Sequence, residues 1–287
     1  MSVREVKASG NEALTLATQL LQRARLADRV AGLWEAGDVQ WSWRAHRESD
    51  DAEKLFWLDE DGPVAGVLLT SWKQAWQCDP IVVPGVSTPD PEVVWNRALE
   101  LVAEHSPHRF DVPVDDDDPI FTELAGRSGL VAAEQDGTGW MDADDRSAVP
   151  AMPDGFVLVD RTQRDGTPHP MRDRNGAKVA ERLAECSLYD PSLDLAVETA
   201  DGRLAGYSLY WFDPVTRVGL VEPVRIEDEF HRRGLARAMV AAGVDRLASK
   251  GAQRMKVSYE TEAAKALYRG VGFQPTSTTT WYSMSSE

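Results

Sequence analysis

Cysteine is nearly absent, with Cys78 and Cys186 the only two in 287 residues. They lie far apart, with no second Cys or His at ligand spacing, which excludes a disulfide framework and a zinc cluster. They read as buried thiols of a cytoplasmic protein. His46, His105, His108, His169 and His231 form no ligand spacing either, so no metal is expected. No apolar run approaches the roughly 18 residues that cross a bilayer, and no charged-then-apolar leader opens the chain, so no membrane contact is expected. Basic charge is also scarce. The net charge is −16, and nucleic-acid binding needs a basic footprint that neither half supplies.

The deficit is uneven. Residues 1–150 carry 13 Lys+Arg against 28 Asp+Glu, whereas residues 151–287 carry 18 against 19. An acidic half would repel phosphates and draw in a cationic amine, or its charge serves solubility alone. The oligomeric state is not legible.

What the chain does contain is a glycine-bearing turn with basic flanks. Val221–Val240 (VEPVRIEDEFHRRGLARAMV) begins as a strand, turns, and enters an alanine-rich helix through His231-Arg232-Arg233-Gly234-Leu235-Ala236. The first amides of a helix lack intrahelical partners and carry the positive end of its dipole. With Gly234 admitting close approach and Arg237 nearby, this is an anion site suited to a pyrophosphate. Apolar residues from Gly234 to Lys250 then recur at helical spacing, ending at Gly251. Arg254–Glu260 alternates like a strand, Thr261–Gly270 is a short helix, and a strand-rich tail follows.

Together these motifs resemble the GNAT superfamily of N-acetyltransferases. Its phosphate loop is Gln/Arg-x-x-Gly-x-Gly/Ala, and its second signature is Asn-x-x-Ala-x-x-Leu-Tyr followed by Gly-Phe. Ala264, Leu267, Tyr268, Gly272 and Phe273 match the second signature. His231 departs from the first, and Thr261 stands at the usual Asn. The resemblance covers about 155–284 and implies an α/β fold, a mixed twisted sheet with flanking helices. It implies acetyl-CoA as co-substrate, with the loop amides of Arg232 to Ala236, Arg233, Arg237, His231 and Thr261 around the cofactor. The backbone of Val224, Arg225 and Ile226 would pair with the pantetheine arm, and Pro223 suggests a bulge that splays two strands.

The chain also repeats itself at a spacing of about 140 residues. Asp61-Gly62 and Asp201-Gly202 each read as a hairpin turn. Val82-Val83-Pro84 parallels Val221-Glu222-Pro223, the helix from Pro91 parallels the one after Gly234, and Leu124–Leu130 parallels Leu267–Phe273. This gives two tandem lobes, 1–142 and 155–287, joined by a Pro- and Asp-rich linker at 143–154. A first helical arm is expected at 12–33. Opposite Tyr268 the first copy has Ala125, opposite Glu222 it has Val83, and opposite the loop it has Val86–Pro91, without glycine or positive charge. The first lobe therefore reads as a degenerate copy that does not bind CoA.

Acetyl transfer needs an acid for the departing thiolate and a base for the ammonium. The resemblance makes Tyr268 the candidate acid, unless its ring only packs under the cofactor. Glu222 is the candidate base, with Tyr259 and Glu260 as rivals. The acceptor, a primary amine of a small molecule or peptide, would be gripped by an arm at about 175–190 and a loop at about 274–280. The competing reading is a non-catalytic acyl-CoA-binding or regulatory module whose first lobe binds a partner.

Overall fold

The computed structural model describes residues 3–72, 75–105, 109–164 and 166–284; His108 lies outside them. The first half of the chain forms β1 (Arg4–Ala8), α1 (Gly10–Ala27), α2 (Ala36–Trp43), α3 (Glu48–Asp51), β2 (Lys54–Asp59), β3 (Gly62–Trp72), β4 (Ala75–Val82), α4 (Pro91–His105), β5 (Phe110–Asp115), α5 (Pro119–Arg127) and β6 (Leu130–Asp142). The second half repeats the plan with β7 (Phe156–Asp160), α6 (Arg172–Asn175), α7 (Val179–Ala184), β8 (Asp194–Thr199), β9 (Leu204–Asp213), β10 (Val218–Ile226), α8 (Leu235–Ser249), β11 (Arg254–Tyr259), α9 (Glu262–Val271) and β12 (Gln274–Met284).

The compact units are cut from the chain differently from the expected 1–142 and 155–287. One unit is Met1–Asp136 with Ser277–Glu287, and the other is Gly137–Thr276. The long strands β6 and β12 each cross from one unit into the other. In the first unit, Thr279–Ser283 of β12 pair antiparallel with Asp111–Asp115 of β5. In the second, Gly137–Asp142 of β6 pair antiparallel with Arg254–Tyr259 of β11. Each unit is thus completed by a strand from the other half of the sequence. Repeat counting could not see this, because an exchanged strand has the same pattern as a retained one.

In the first unit the strands run β1–β2–β3–β4–β5–β12, with β4 and β5 parallel. Alternation along β3 sends Leu68 to the face covered by Ala13, Ala17 and Leu20 of α1. Val67 and Leu69 go to the other face, against Val94, Trp95 and Leu101 of α4. The arm expected at 12–33 stops at Ala27. The Asp28 carboxylate accepts from the Val30 and Ala31 amides (2.8 and 2.9 Å), offering the backbone a turn instead of another helical bond. Arg25 then makes a buried ion pair with Glu35 across that turn, 2.5 Å at its closest.

The second unit runs β6–β11–β10–β9–β8–β7, with β10 and β11 parallel. Helix α8 packs on β9 and β10. A Cβ on its Gly243 would lie 2.0 Å from the Tyr210 ring. Only glycine lets helix and sheet approach this closely.

The strand ladders correct the internal alignment. Gly66 faces Ile81 and Thr70 faces Gln77 in the first unit. Gly206 faces Ile226 and Tyr210 faces Val221 in the second. Counted from these anchors, Cys78 stands where Glu222-Pro223 stand, not Val83. Most of this displacement comes from the longer turn between β9 and β10, where Asp213 faces Val218, against Trp72 facing Ala75 in the first unit; β10 also carries a bulge that β4 lacks. Ala125 does correspond to Tyr268, each being the seventh residue of its helix.

One buried acid of the first unit has a measurable consequence. Asp79 accepts from Trp34 Nε1 and Gln77 Nε2, each at 3.0 Å, and burial raises its pKa to about 7. The unfolded carboxyl ionises near 3.9, so between about pH 4 and 7 the folded state holds a proton that the unfolded state has lost. Stability therefore falls as pH rises through this window, by up to ~1.4 kcal/mol per pH unit. The denaturant midpoint of the wild type should drop between pH 5 and 8, and Asp79→Asn should flatten that drop. Tryptophan fluorescence follows it, since all tryptophans but Trp140 and Trp211 lie in this unit.

Candidate active site

The site is organised by a departure of β10 from β11. The two pair in parallel only over Val218–Leu220 and Arg254–Lys256. The ladder with β9 then shifts between Val221 and Val224, where Glu222 and Pro223 share a cis peptide bond. This is the bulge that Pro223 implied. Trp211, almost fully buried, donates from Nε1 to the Glu222 carbonyl oxygen at 2.9 Å and holds the bulge in shape. Beyond it, Val224, Arg225 and Ile226 pair with Ser208, Tyr207 and Gly206 of β9 and with no other strand among the described residues. Their second backbone edge is open, and an extended ligand could add to it as a strand.

The chain leaves β10 through a short helical turn at Asp228–Phe230 and reaches α8 through two left-handed residues, Arg232 (φ 58°) and Gly234 (φ 83°). Gly234 is the N-cap of α8, and no side chain caps the helix. Its first amides are left to a ligand or to water. Arg232 and Arg237 are exposed at this end. Arg233 is engaged by its own loop, donating to the Glu229 carbonyl at 3.2 Å and lying 5.5 Å from the Phe230 ring centre. His231 donates from Nε2 to the Ile226 carbonyl at 2.9 Å. That bond braces the loop against the end of β10, with the ring still exposed.

Helix α9 brings Tyr268 to the same core as Tyr210, Val221 and Phe273. Only 7 % of Tyr268 is exposed, and among the described residues no group hydrogen-bonds its hydroxyl. Its pKa is raised, first by burial and then by the charges of Glu222 and Tyr210. The hydroxyl is therefore fully protonated at neutral pH, as a proton donor must be. Glu222 is half-buried on the bulge, near enough for its charge to act on Tyr268.

The remaining candidates separate from this pair. Thr261 caps α9, its Oγ1 accepting from the Ala264 amide at 3.2 Å, which accounts for a hydroxyl residue at that position. The Tyr259 ring lies where a Cβ on Gly137 would be 2.1 Å away, so it packs against β6. Glu260 is exposed. In the arm, the Tyr189 hydroxyl donates to Asp194 Oδ2 at 2.8 Å, a contact shared with buried His169 Nε2 at 2.8 Å. The Met171 amide donates to His169 Nδ1 at 3.2 Å, which fixes the proton on Nε2. Tyr189 is thus a strut between arm and β8, whereas Arg172, Asp173 and Arg174 are exposed, Arg174 pairing with Glu227 at 3.0 Å. Burial pushes the Cys186 thiol up to about 12, leaving it inert. Among the described residues no group of three or more His, Cys, Asp or Glu could hold a metal ion, and no helix is long and apolar enough to cross a membrane.

The bulged strand with its free edge, the uncapped glycine-led helix and the buried tyrosine lie together in the second unit. Residues 162–273 match the acetyltransferase (GNAT) family. A 109-residue stretch is 34% identical to the mycothiol acetyltransferase of Clavibacter michiganensis subsp. michiganensis (strain NCPPB 382), and 33% identical to that of Clavibacter sepedonicus. Each match covers 37% of this chain and only 35% of the relative. The whole chain shares its fold with a tandem GNAT protein from the clavulanic acid biosynthesis pathway (TM-score 0.70, 17% identity, 98% of both chains). It also shares its fold with a GCN5-related N-acetyltransferase from Sphaerobacter thermophilus (TM-score 0.63, 14% identity, 97% of this chain and 95% of the other).

Tyr210, Trp211 and Ser208 escaped the sequence reading. Within β9 they look like any other alternating strand residues, and only the ladder with the bulge gives them a place beside the site.

Proposed function

We propose that the second unit transfers an acetyl group from acetyl-CoA to a primary amine of a small molecule or peptide, by direct attack and without a covalent enzyme intermediate. The observation that carries this reading is the open edge of Val224–Ile226 leading into the uncapped N-terminus of α8. A pantetheine arm can pair with the first while a pyrophosphate accepts from the second, with Arg232 and Arg237 beside it.

Glu222 takes the ammonium proton, and Tyr268 gives its own to the departing sulfur. The two roles support one another. While Glu222 is ionised, its charge holds the Tyr268 proton on. Once Glu222 is protonated that restraint is gone, and Tyr268 becomes a stronger acid as the thiolate needs it. The first unit serves as a degenerate copy: its β4 lacks the bulge, Ala125 replaces the tyrosine, and Pro89 and Pro91 lie in the loop that would need amides.

The test is release of CoA thiol from acetyl-CoA over a panel of amines that includes the acceptor of mycothiol acetyltransferases. Turnover with at least one primary amine is expected. In Glu222→Gln, kcat should fall by about 10²-fold, with acetyl-CoA binding unchanged by calorimetry. Tight acetyl-CoA binding without transfer to any amine would leave the chain an acyl-CoA-binding module.

A further inference from the structure

The bulge of β10 is built on a peptide with little to offer a neighbouring strand. The Glu222–Pro223 peptide has no N–H, because its nitrogen belongs to proline. Its one polar group, the Glu222 carbonyl oxygen, accepts from Trp211 Nε1 at 2.9 Å. Trp211 is 1% exposed, and an indole N–H buried so deeply needs a fixed acceptor. Donor and acceptor thus satisfy each other across the ladder.

The indole reaches the bulge from one side of the sheet. Tyr210, its neighbour in β9, sends its hydroxyl to the Met239 carbonyl of α8 at 3.0 Å. Alternation then puts Trp211 on the opposite face. The bond is made from that face, and the backbone edge of Val224–Ile226 stays open in the plane of the sheet. Glu222 and Pro223 together oppose the single residue Leu209. The direction of the strand beyond them is therefore set at the peptide that Trp211 holds.

The first unit carries neither feature among its described residues. Counted from the same anchors, Ser71 stands where Trp211 stands. Its hydroxyl accepts from the Ser49 amide at 3.0 Å. Strand β4 pairs with β3 from Ala75 to Val82 without a shift of register.

We infer that Trp211 is a positioning residue for the acyl-CoA arm: by holding the Glu222 carbonyl it fixes the bulge that aims the open edge of Val224–Ile226. Without the indole N–H the bulge populates other shapes. A ligand that pairs with the edge must restore the competent one, so its apparent affinity falls with the competent fraction. This rests on the acyl-CoA binding proposed above and is independent of the acceptor amine.

Trp211→Phe keeps an aromatic ring in the core and removes the N–H. Calorimetry should show acetyl-CoA binding weakened about tenfold, the scale of one lost hydrogen bond. The phosphorylated ADP half of CoA, tested alone without the pantetheine arm, should bind as it does to the wild type. In turnover, the KM for acetyl-CoA should rise about tenfold while kcat changes by less than about threefold. A general loss of structure would instead lower the active fraction, and with it kcat. Glu222→Gln keeps the carbonyl and should bind acetyl-CoA like the wild type. Acetyl-CoA affinity within about twofold of wild type in Trp211→Phe, or an equal loss toward the ADP half, would overturn the inference while leaving acetyl transfer standing. A wild type that binds neither molecule would overturn the acyl-CoA site with it.

Discussion

Acetyl-CoA binding should be lost when Gly234 is replaced by proline. Gly234 holds φ at 83° as the N-cap of α8, whereas proline fixes φ near −65° and has no amide to offer. The exchange therefore turns the loop away and deletes a donor from the anion site at once. Hydrogen bonds to a charged group are worth about 1.5–3 kcal/mol each, and losing two of them weakens binding by at least ~100-fold. Gly234→Ala should be much milder. A Cβ there meets nothing nearer than Pro153 Cγ at 3.8 Å, so only the left-handed backbone is penalised, at about 1–2 kcal/mol. Calorimetry with acetyl-CoA, alongside circular dichroism to confirm an intact fold, measures both. Equal binding by wild type and the proline variant would move the phosphate site elsewhere.

Tyr268→Phe should abolish most of the transfer and little else. Donors of this kind contribute about 10²–10⁴-fold to rate, and kcat should fall within that range while acetyl-CoA affinity stays within about twofold. Stability should not suffer. Among the described residues the hydroxyl has no hydrogen-bond partner, and phenylalanine keeps the edge-to-face contact with Phe273 at 5.9 Å between ring centres. Thermal melting thus serves as the control. An unchanged turnover would reduce Tyr268 to a ring packed beneath the cofactor.

The site was more legible than the framework around it. The glycine-led turn into α8, the bulge at Pro223 and the helix carrying Tyr268 all depend on local chemistry, on glycine at positive φ, proline in a strand and apolar spacing along a helix. Such signals need no knowledge of distant partners. The fate of β6 and β12 was not legible because any alternating strand can complete either sheet. The Val83 alignment failed for a related reason. The turn between β9 and β10 is longer than that between β3 and β4, and a match of Val-x-Pro to Val-x-Pro hides the displacement that this turn and the bulge produce. His231 shows a third limit, since its bond to the Ile226 carbonyl depends on how the turn folds back on β10.

The exchange of β12 also orders events during synthesis. Thr280 hydrogen-bonds Asp116 across 164 positions of sequence. At about 5–20 residues per second on the ribosome, the first unit waits roughly ten to thirty seconds for the strand that covers β5. Through that interval almost the whole second unit is made while an open edge stands ready to pair with a neighbouring chain. The nascent first unit is therefore the stage at which a chaperone, or a slower codon run before β12, would most alter the yield of folded protein.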